Sequence, residues 1–179
     1  MSRNVSKEEY KSAQAAQKFF SDSLNLLVER KSTEFLEYLS TYAAESQQQP
    51  QDIFESYQTD GKYLLHIAAS TACKEVVEFA LKCPNPSAFV NIPDSNGFTP
   101  LINATIAESS EIMSLLIANG ADVNARNNDG ATALHFAAGD GSLERMEILC
   151  QAGCDMALVS QAGSPISWAA GGGKADAIR

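Results

Sequence analysis

The sequence predicts an all-α solenoid built from stacked helix-turn-helix units. Three observations indicate this fold class: a repeat with a period of 33 residues, helical spacing of the apolar residues within each unit, and 45% apolar content in a chain of 179 residues. A period of roughly 20 to 50 residues is typical of repeat architectures. One such unit cannot bury its own apolar face, so neighbouring units must stack.

The repeat is clearest in two pairs of segments that align at a constant offset. Residues 94–101 align with residues 127–134, and residues 115–122 align with residues 148–155. Both pairs are 33 residues apart, so the period persists through the whole unit.

Two further copies flank this pair. One begins at residues 60–69, and its Gly61 lies 36 residues before Gly97 because residues 84–87 lengthen the return loop. The other begins at residues 163–170 and is one residue shorter after its glycine. The sequence therefore predicts four units in succession.

Each unit begins with a first helix whose start carries recognisable signals. Thr99 precedes Pro100, and Ser164 precedes Pro165. A hydroxyl side chain caps the exposed N–H groups of a helix, and proline is tolerated in its first turn. Thr132 keeps the cap in the third unit, so the same start is predicted there.

A second helix completes the unit and ends at a glycine. Gly120 and Gly153 are placed where a helix terminates in a left-handed residue. Residues 124–130 then carry the asparagine, aspartate and glycine that favour a tight hairpin turn, here called a finger. The apolar positions of the second helices follow helical spacing: Val76, Val77, Phe79, Ala80; Ile112, Met113, Leu115, Leu116; Leu143, Met146, Ile148, Leu149.

These motifs resemble the ankyrin-repeat family over about two thirds of the chain. The family's Thr-Pro-Leu-His-x-Ala start is met in part by residues 99–101 and 134–138, and its Gly-Ala-Asp-Val-Asn-Ala finish is met fully by residues 120–125. The resemblance implies an ankyrin-repeat solenoid with hairpin fingers. The sequence departs from the family where Ile102 and Ser167 stand in place of histidine.

The N-terminal third predicts a divergent helical cap. A capping box from Ser6 to Glu9 begins an amphipathic helix, and a second amphipathic helix follows. Residues 33–38 align without gaps with residues 74–79. Residues 47–51 predict a polar linker, after which Ile53, Phe54 and Tyr57 anchor a loop on the stack. In an alternative interpretation, the first helix is a partner-binding element that only rests on the stack.

The chain divides accordingly into a cap and four units. The predicted boundaries are residues 1–58 for the N-terminal helical capping region, 59–93, 94–126 and 127–159 for three ankyrin repeats, and 160–179 for an incomplete ankyrin repeat. The last unit holds only the first residues of its second helix, which predicts an excerpt of a longer protein.

Composition argues against several classes of function. The net charge of −9 argues against binding to nucleic acid, which needs a basic surface. No apolar segment predicts a secretion signal or a membrane insertion, so a cytoplasmic location is expected, and a nuclear one fits the same observations. The four cysteines lack the spacing of a disulfide framework and are expected to be reduced thiols.

No residue pattern predicts catalysis, a metal site or a cofactor. His66 and His135 occupy equivalent places with a whole unit between them, so they are expected to form hydrogen bonds near helix starts, and the cysteine pairs are separated in the same way. Residues 171–174 lack the flanking spacing of a phosphate-binding loop. The sequence therefore predicts no enzyme.

What remains is a surface for a protein or peptide partner. The resemblance assigns it to the fingers and the exposed side of the first helices. Among these positions Phe98 and Ile106 are apolar, which makes them either partner anchors or residues covered by the next unit. The predicted partner-binding residues are Lys62, Thr71, Ser95, Asn96, Phe98, Ile106, Arg126, Asn128, Asp129 and Asp140.

The distribution of charge refines this interpretation. Residues 83–144 hold seven acidic residues and Arg126 as the sole base, which favours a basic partner. A monomer acting as a scaffold or adaptor is expected, and the alternative is the regulatory domain of a larger enzyme or signalling protein.

Asn124 resembles the ankyrin asparagines that an oxygenase hydroxylates, so it is a candidate for that modification.

Overall fold

The computed structural model describes residues 7–56, 58–59 and 61–173. Ser6 of the predicted capping box, Tyr57 and the second helix predicted after residue 173 lie outside these residues. The described helices and strands are α1 Lys7–Val28, α2 Ser32–Ser46, α3 Pro50–Ser56, β1 Gln58–Thr59, β2 Lys62–Tyr63, α4 Leu64–Ser70, α5 Lys74–Lys82, α6 Ser87–Val90, α7 Pro100–Ile106, α8 Ser110–Ala118, α9 Ala133–Asp140, α10 Leu143–Gln151 and α11 Pro165–Gly171.

The helices stack in two rows, which confirms the predicted solenoid. The first helices α1, α4, α7, α9 and α11 contact one another in this order, and the second helices α2, α5, α8 and α10 do the same. Between the rows lies one continuous apolar core. Leu65, Leu101 and Leu134, which hold the same position in successive units, are at most 5% exposed. Each unit thus buries its apolar face against the next.

The same turn follows the first helix of each unit and of the N-terminal pair. Its central residue has positive φ and donates its N–H to the carbonyl three residues earlier. Arg30, Ala72, Glu108, Gly141 and Gly173 hold this position, with φ between 57° and 73°. The helix pair α1–α2 therefore turns in the same way as the four units that follow.

This turn fixes how the N-terminal pair corresponds to the later units. The N–H groups of Lys31 and Cys73 both donate to the carbonyl five residues earlier, so these two residues are equivalent. The gapless alignment of residues 33–38 with residues 74–79 is therefore wrong by one residue. The two helices were matched correctly. The acidic and apolar residues agree better in the sequence alignment than in the register that the structure shows, which is why the sequence led to the wrong register.

Helix α1 packs into the stack along one face. Phe19 lies with its ring centroid 4.0 Å from that of Tyr42 and 5.2 Å from that of Tyr38, whose hydroxyl donates to Asp22. Near the end of α1, the carbonyl of Leu27 accepts a hydrogen bond from the Cys73 thiol. These contacts favour a structural role for α1 over that of a helix merely resting on the stack.

The predicted loop after residue 51 is wrong, because the chain forms helix α3 there. Pro50 occupies the first helical turn, and the Asp52 carboxylate accepts the N–H of Gln49 at 3.3 Å, which caps the helix start. Ile53 and Phe54 are fully buried. The glutamine-rich stretch concealed these start signals.

The longer return loop of the first full unit contains a further helix. Helix α6 buries Phe89 and Val90, and the Phe89 ring lies 5.9 Å from that of Phe54 in α3. The extra residues therefore provide a packing partner for α3.

Backbone hydrogen bonds form the fingers, and in the second and third fingers one side chain adds to them. The first finger is an antiparallel pair of β1 and β2, with Gln58 opposite Tyr63 and Thr59 opposite Lys62. In the second finger, Asp94 is 6% exposed and its Oδ1 accepts the N–H groups of Asn96 and Phe98 at 2.9 and 2.8 Å. Asn127 holds the third finger in the same way.

Candidate protein-binding surface

The fingers and the first helices carry the predicted partner-binding residues. Ile106 is 46% exposed, whereas Thr71 and Phe98 are half-buried. The Thr71 hydroxyl donates to the Ile67 carbonyl of its own helix at 2.8 Å. The other predicted residues are exposed: Lys62, Ser95, Asn96, Arg126, Asn128, Asp129 and Asp140.

Two of these residues connect neighbouring fingers. The Asn128 N–H donates to the Asn96 carbonyl at 3.0 Å, and its Nδ2 donates to the Ser95 carbonyl at 3.1 Å. Arg126 reaches the fourth finger through a 2.8 Å bond from Nη2 to the Val159 carbonyl. These bonds connect each finger to its neighbour. Partner contacts at Asn128 and Arg126 would use only their remaining exposed atoms.

Asp140 is paired with a base that the sequence does not single out. Its carboxylate accepts from Arg145 Nη1 at 3.0 Å. Arg145 is 5% exposed, and the same nitrogen donates to the Thr105 carbonyl of the preceding unit at 2.6 Å. In the sequence, Glu144 and Arg145 at the start of α10 have the polar character of a solvent-exposed helix face. Only the stacked structure reveals that the Arg145 guanidinium is buried.

An aromatic row runs across three successive units on the first-helix side. We use this name for Phe98, Phe136 and Trp168, whose ring centroids are 5.8 Å apart for the first two and 5.3 Å apart for the last two. All three side chains are half-buried. Gly139 leaves room beside the row, since a Cβ there would lie 3.3 Å from the Trp168 ring. Ile106, at the end of α7, is a further apolar side chain on the first-helix side.

Sequence reasoning found only Phe98 in this row. Phe136 and Trp168 follow the histidine position in consecutive first helices, and this shared position was the signal that could have found them. Phe98 combines the two predicted alternatives, because its ring contacts Phe136 of the next unit and still remains partly exposed.

The histidines are placed as parts of the scaffold. His66 Nδ1 accepts the Tyr63 N–H at 3.3 Å, so its Nε2 is the donor to the Phe98 carbonyl at 3.0 Å. His135 Nδ1 accepts the Thr132 N–H at 3.1 Å. Burial lowers the pKa of both imidazoles below the usual value, which favours the neutral form. His66 thereby links its helix start to the next finger.

Part of the acidic charge behind the basic-partner prediction is buried, paired or on the second-helix side. Asp94 is buried within its finger, and Asp140 pairs with Arg145. Glu111 pairs with Lys74 at 3.1 Å on the second-helix side. There an open groove is lined by Lys74, Glu78, Ser110, Glu111, Ser114, Leu115, Ala118, Glu144 and Ile148.

Asn124 connects two units through its amide. Its Oδ1 accepts the Asp155 N–H at 2.7 Å, and its own N–H donates to Asp122. Asn91 accepts the Asp122 N–H at 2.8 Å in the equivalent arrangement one unit earlier. Hydroxylation of Asn124 stays a prediction, and it concerns a side chain that is half-buried in the folded stack.

Two kinds of feature are absent from the part of the chain that the structure describes. Among residues 7–56, 58–59 and 61–173, no three histidine, cysteine, aspartate or glutamate side chains gather where they could hold a metal ion. In that same part of the chain, no helix has the length and apolar character needed to cross a membrane.

Comparison with known proteins identifies similar sequences. A family model described as ankyrin repeats (3 copies) matches residues 15–127, 65–160 and 107–179. The chain is 36% identical over 99 residues to the B-cell lymphoma 3 protein homolog of Mus musculus. The aligned region covers 55% of this chain and 22% of that protein.

Two other relatives show the same pattern of partial coverage. Identity is 37% over 124 residues to neurogenic locus notch homolog protein 1 of Xenopus tropicalis, covering 67% of this chain and 5% of that protein. Identity to NF-kappa-B inhibitor alpha of Gallus gallus is 33% over 93 residues, which cover 51% of this chain and 29% of that protein. The chain thus spans less than a third of the length of each of these relatives.

Proposed function

Since this chain belongs to the ankyrin-repeat family, whose repeats are protein-interaction modules, we propose that it binds a partner protein through its fingers and first helices. The aromatic row is the observation that carries the proposal. Half-buried aromatic rings at the centre of a polar surface are typical of residues that dominate binding energy. The first-helix side also carries Ile106, an apolar side chain that the described stack leaves 46% exposed.

The proposed contact has an apolar centre and a polar rim. Ile106 and the aromatic row form the centre, where an apolar side chain of the partner would be shielded from water. Lys62, Ser95 and Asp129 provide exposed polar groups on the fingers around it. Such an arrangement excludes water from the central contacts.

A basic partner remains part of the proposal, but for a long-range reason. Several acidic side chains of residues 83–144 are paired or buried, as described above. The net charge of −9 nevertheless attracts a basic protein from a distance and raises the rate of encounter. We therefore expect partner association to slow as ionic strength increases, whereas the apolar centre sets how long the complex lasts.

Substituting Ile106→Asp tests the surface. A carboxylate at the apolar centre should weaken partner binding by at least about tenfold, because the charge would lose water on binding without gaining a partner. Leu143→Asp is the matched control, since Leu143 is 50% exposed and begins a second helix. Proteins captured by the tagged wild-type chain are quantified by mass spectrometry against captures by both variants.

The two variants must first show the helical circular dichroism of the wild type. The proposal expects captured partners to be lost with Ile106→Asp and kept with Leu143→Asp. Equal retention of every partner by a folded Ile106→Asp variant would place binding elsewhere.

A further inference from the structure

Two thiols meet at the end of α10. Cys150 lies in the last turn of the helix and Cys154 follows Gly153, with their Sγ atoms 3.8 Å apart. Cys150 is exposed and Cys154 is half-buried. The other cysteines are isolated from this pair, since Cys73 donates to the Leu27 carbonyl and Cys83 to the Phe79 carbonyl.

The scaffold does not require sulfur at either position. Ile117 and Ala121 occupy the equivalent places in the preceding unit, 33 residues earlier. Ala121 is 8% exposed and contributes to the same core that Cys154 packs against. An isoleucine and an alanine therefore satisfy the packing of this corner, and the two thiols are a feature of the third unit.

The corner can bring the two sulfurs into bonding distance. A disulfide needs a separation of about 2.05 Å, shorter than the 3.8 Å between the two thiols, so the bond requires the exposed Cys150 side chain to change its rotamer. Gly153 joins the two residues at φ 83°, and a Cβ built there would meet no atom within 4 Å. This joint is free of packing, so a small backbone adjustment meets no steric resistance.

We propose that Cys150 and Cys154 form a reversible intramolecular disulfide by exchange with a small-molecule disulfide of the glutathione type. The Cys150 thiolate attacks one sulfur of the small molecule, which forms a mixed disulfide and releases one thiolate. Cys154 then gives up its proton and attacks the Cys150 sulfur, which expels the second small-molecule thiolate. Two protein thiols are oxidised, and one disulfide is reduced to two thiols.

The surroundings assign a different role to each cysteine. Burial, followed by the hydrogen bond and negative charge of Cys150, raises the pKa of the Cys154 thiol to about 12. The exposed Cys150 is therefore the first nucleophile. In the mixed disulfide Cys150 carries no negative charge, so one of the smaller causes that raise the Cys154 pKa is removed, while burial, the largest, remains.

The bond would fasten the end of α10 to the segment leading to the fourth finger. Cys154 donates its N–H to the Leu149 carbonyl, and the next residue, Asp155, donates to Asn124 of the preceding unit. These contacts already hold the segment near its closed position. The inference depends on this corner alone and is independent of the proposed partner surface.

The test treats the full chain with oxidised glutathione, alkylates the remaining thiols and maps the products by mass spectrometry. Cleavage after Arg145 and Lys174 gives one peptide containing both cysteines. Wild type should yield this peptide two hydrogen masses lighter and unalkylated, and dithiothreitol should restore both thiols. Cys154→Ala should instead stop at a glutathione adduct on Cys150, and Cys150→Ile should react far more slowly.

The substituted alanine and isoleucine are the residues found at the equivalent positions 121 and 117 of the preceding unit, so both variants are expected to fold. A persistent glutathione adduct on wild-type Cys150 would overturn the proposal, because it would show that Cys154 does not complete the exchange. Disulfide-linked dimers, or a peptide that keeps both thiols under oxidation, would overturn it as well.

Discussion

Replacing Phe54 with alanine is expected to lower the free energy of unfolding by about 3–5 kcal/mol, the cost of removing a fully buried aromatic side chain. Phe54 has no exposed surface, and its ring lies 5.9 Å from that of Phe89 and 6.5 Å from that of Phe79. It therefore joins α3 to α5 and α6. The truncation would leave a cavity at the place where the N-terminal helices meet the first full unit.

Urea denaturation followed by circular dichroism measures this effect. Val28→Ala is the matched control, because Val28 is 60% exposed and its truncation should change stability by less than about 0.5 kcal/mol. If Phe54→Ala unfolds at the same urea concentration as wild type, α3 is not an integral part of the stack.

Replacing Arg145 with alanine is expected to cost about 2–4 kcal/mol, since it removes both a buried side chain and a charged hydrogen bond. The guanidinium joins the third unit to the second through the Thr105 carbonyl at 2.6 Å.

Asp140→Asn separates the two contacts of Arg145. Asp140 is half-exposed, so neutralising it should cost less than about 1 kcal/mol. Thermal or urea unfolding of both variants gives the comparison. A loss for Asp140→Asn as large as that for Arg145→Ala would show that the ion pair within the third unit, and not the bond to Thr105 of the second, accounts for the effect of removing Arg145.

The repeated part of the fold was predictable because its signals recur. Pro100 and Pro165 follow hydroxyl caps in the sequence, and the structure shows Thr99 and Ser164 accepting N–H groups at those helix starts. Gly120 and Gly153 have the positive φ expected of helix ends. Each signal was supported by a second copy at the same offset.

The N-terminal third lacked that support. Helix α3 occurs once, and its start at Pro50 and Asp52 follows a run of glutamines that resembles a linker. The register of α2 was wrong by one residue because the turn at Arg30 adopts positive φ without a glycine to mark it. Nothing in the residue types separates that turn from an ordinary helix end.

The sequence predicted which elements carry the candidate residues but not their contacts. Position in the unit assigned Phe98 to a finger and Ile106 to a first helix, and the structure has both there. The contact between Arg145 and Thr105 joins residues 40 positions apart, and the burial that makes it strong arises only from stacking. The aromatic row likewise depends on ring contacts between units, which a linear pattern does not contain.

Photo-crosslinking from two positions tests the central claim that partners bind the first-helix side. A benzophenone amino acid replaces Ile106 in one chain and Ser114 in another; Ser114 is also exposed but lies on the second helix α8. Partner adducts are identified by mass spectrometry after irradiation. The structure predicts adducts from position 106 and few from position 114, whereas adducts predominantly from position 114 would contradict it.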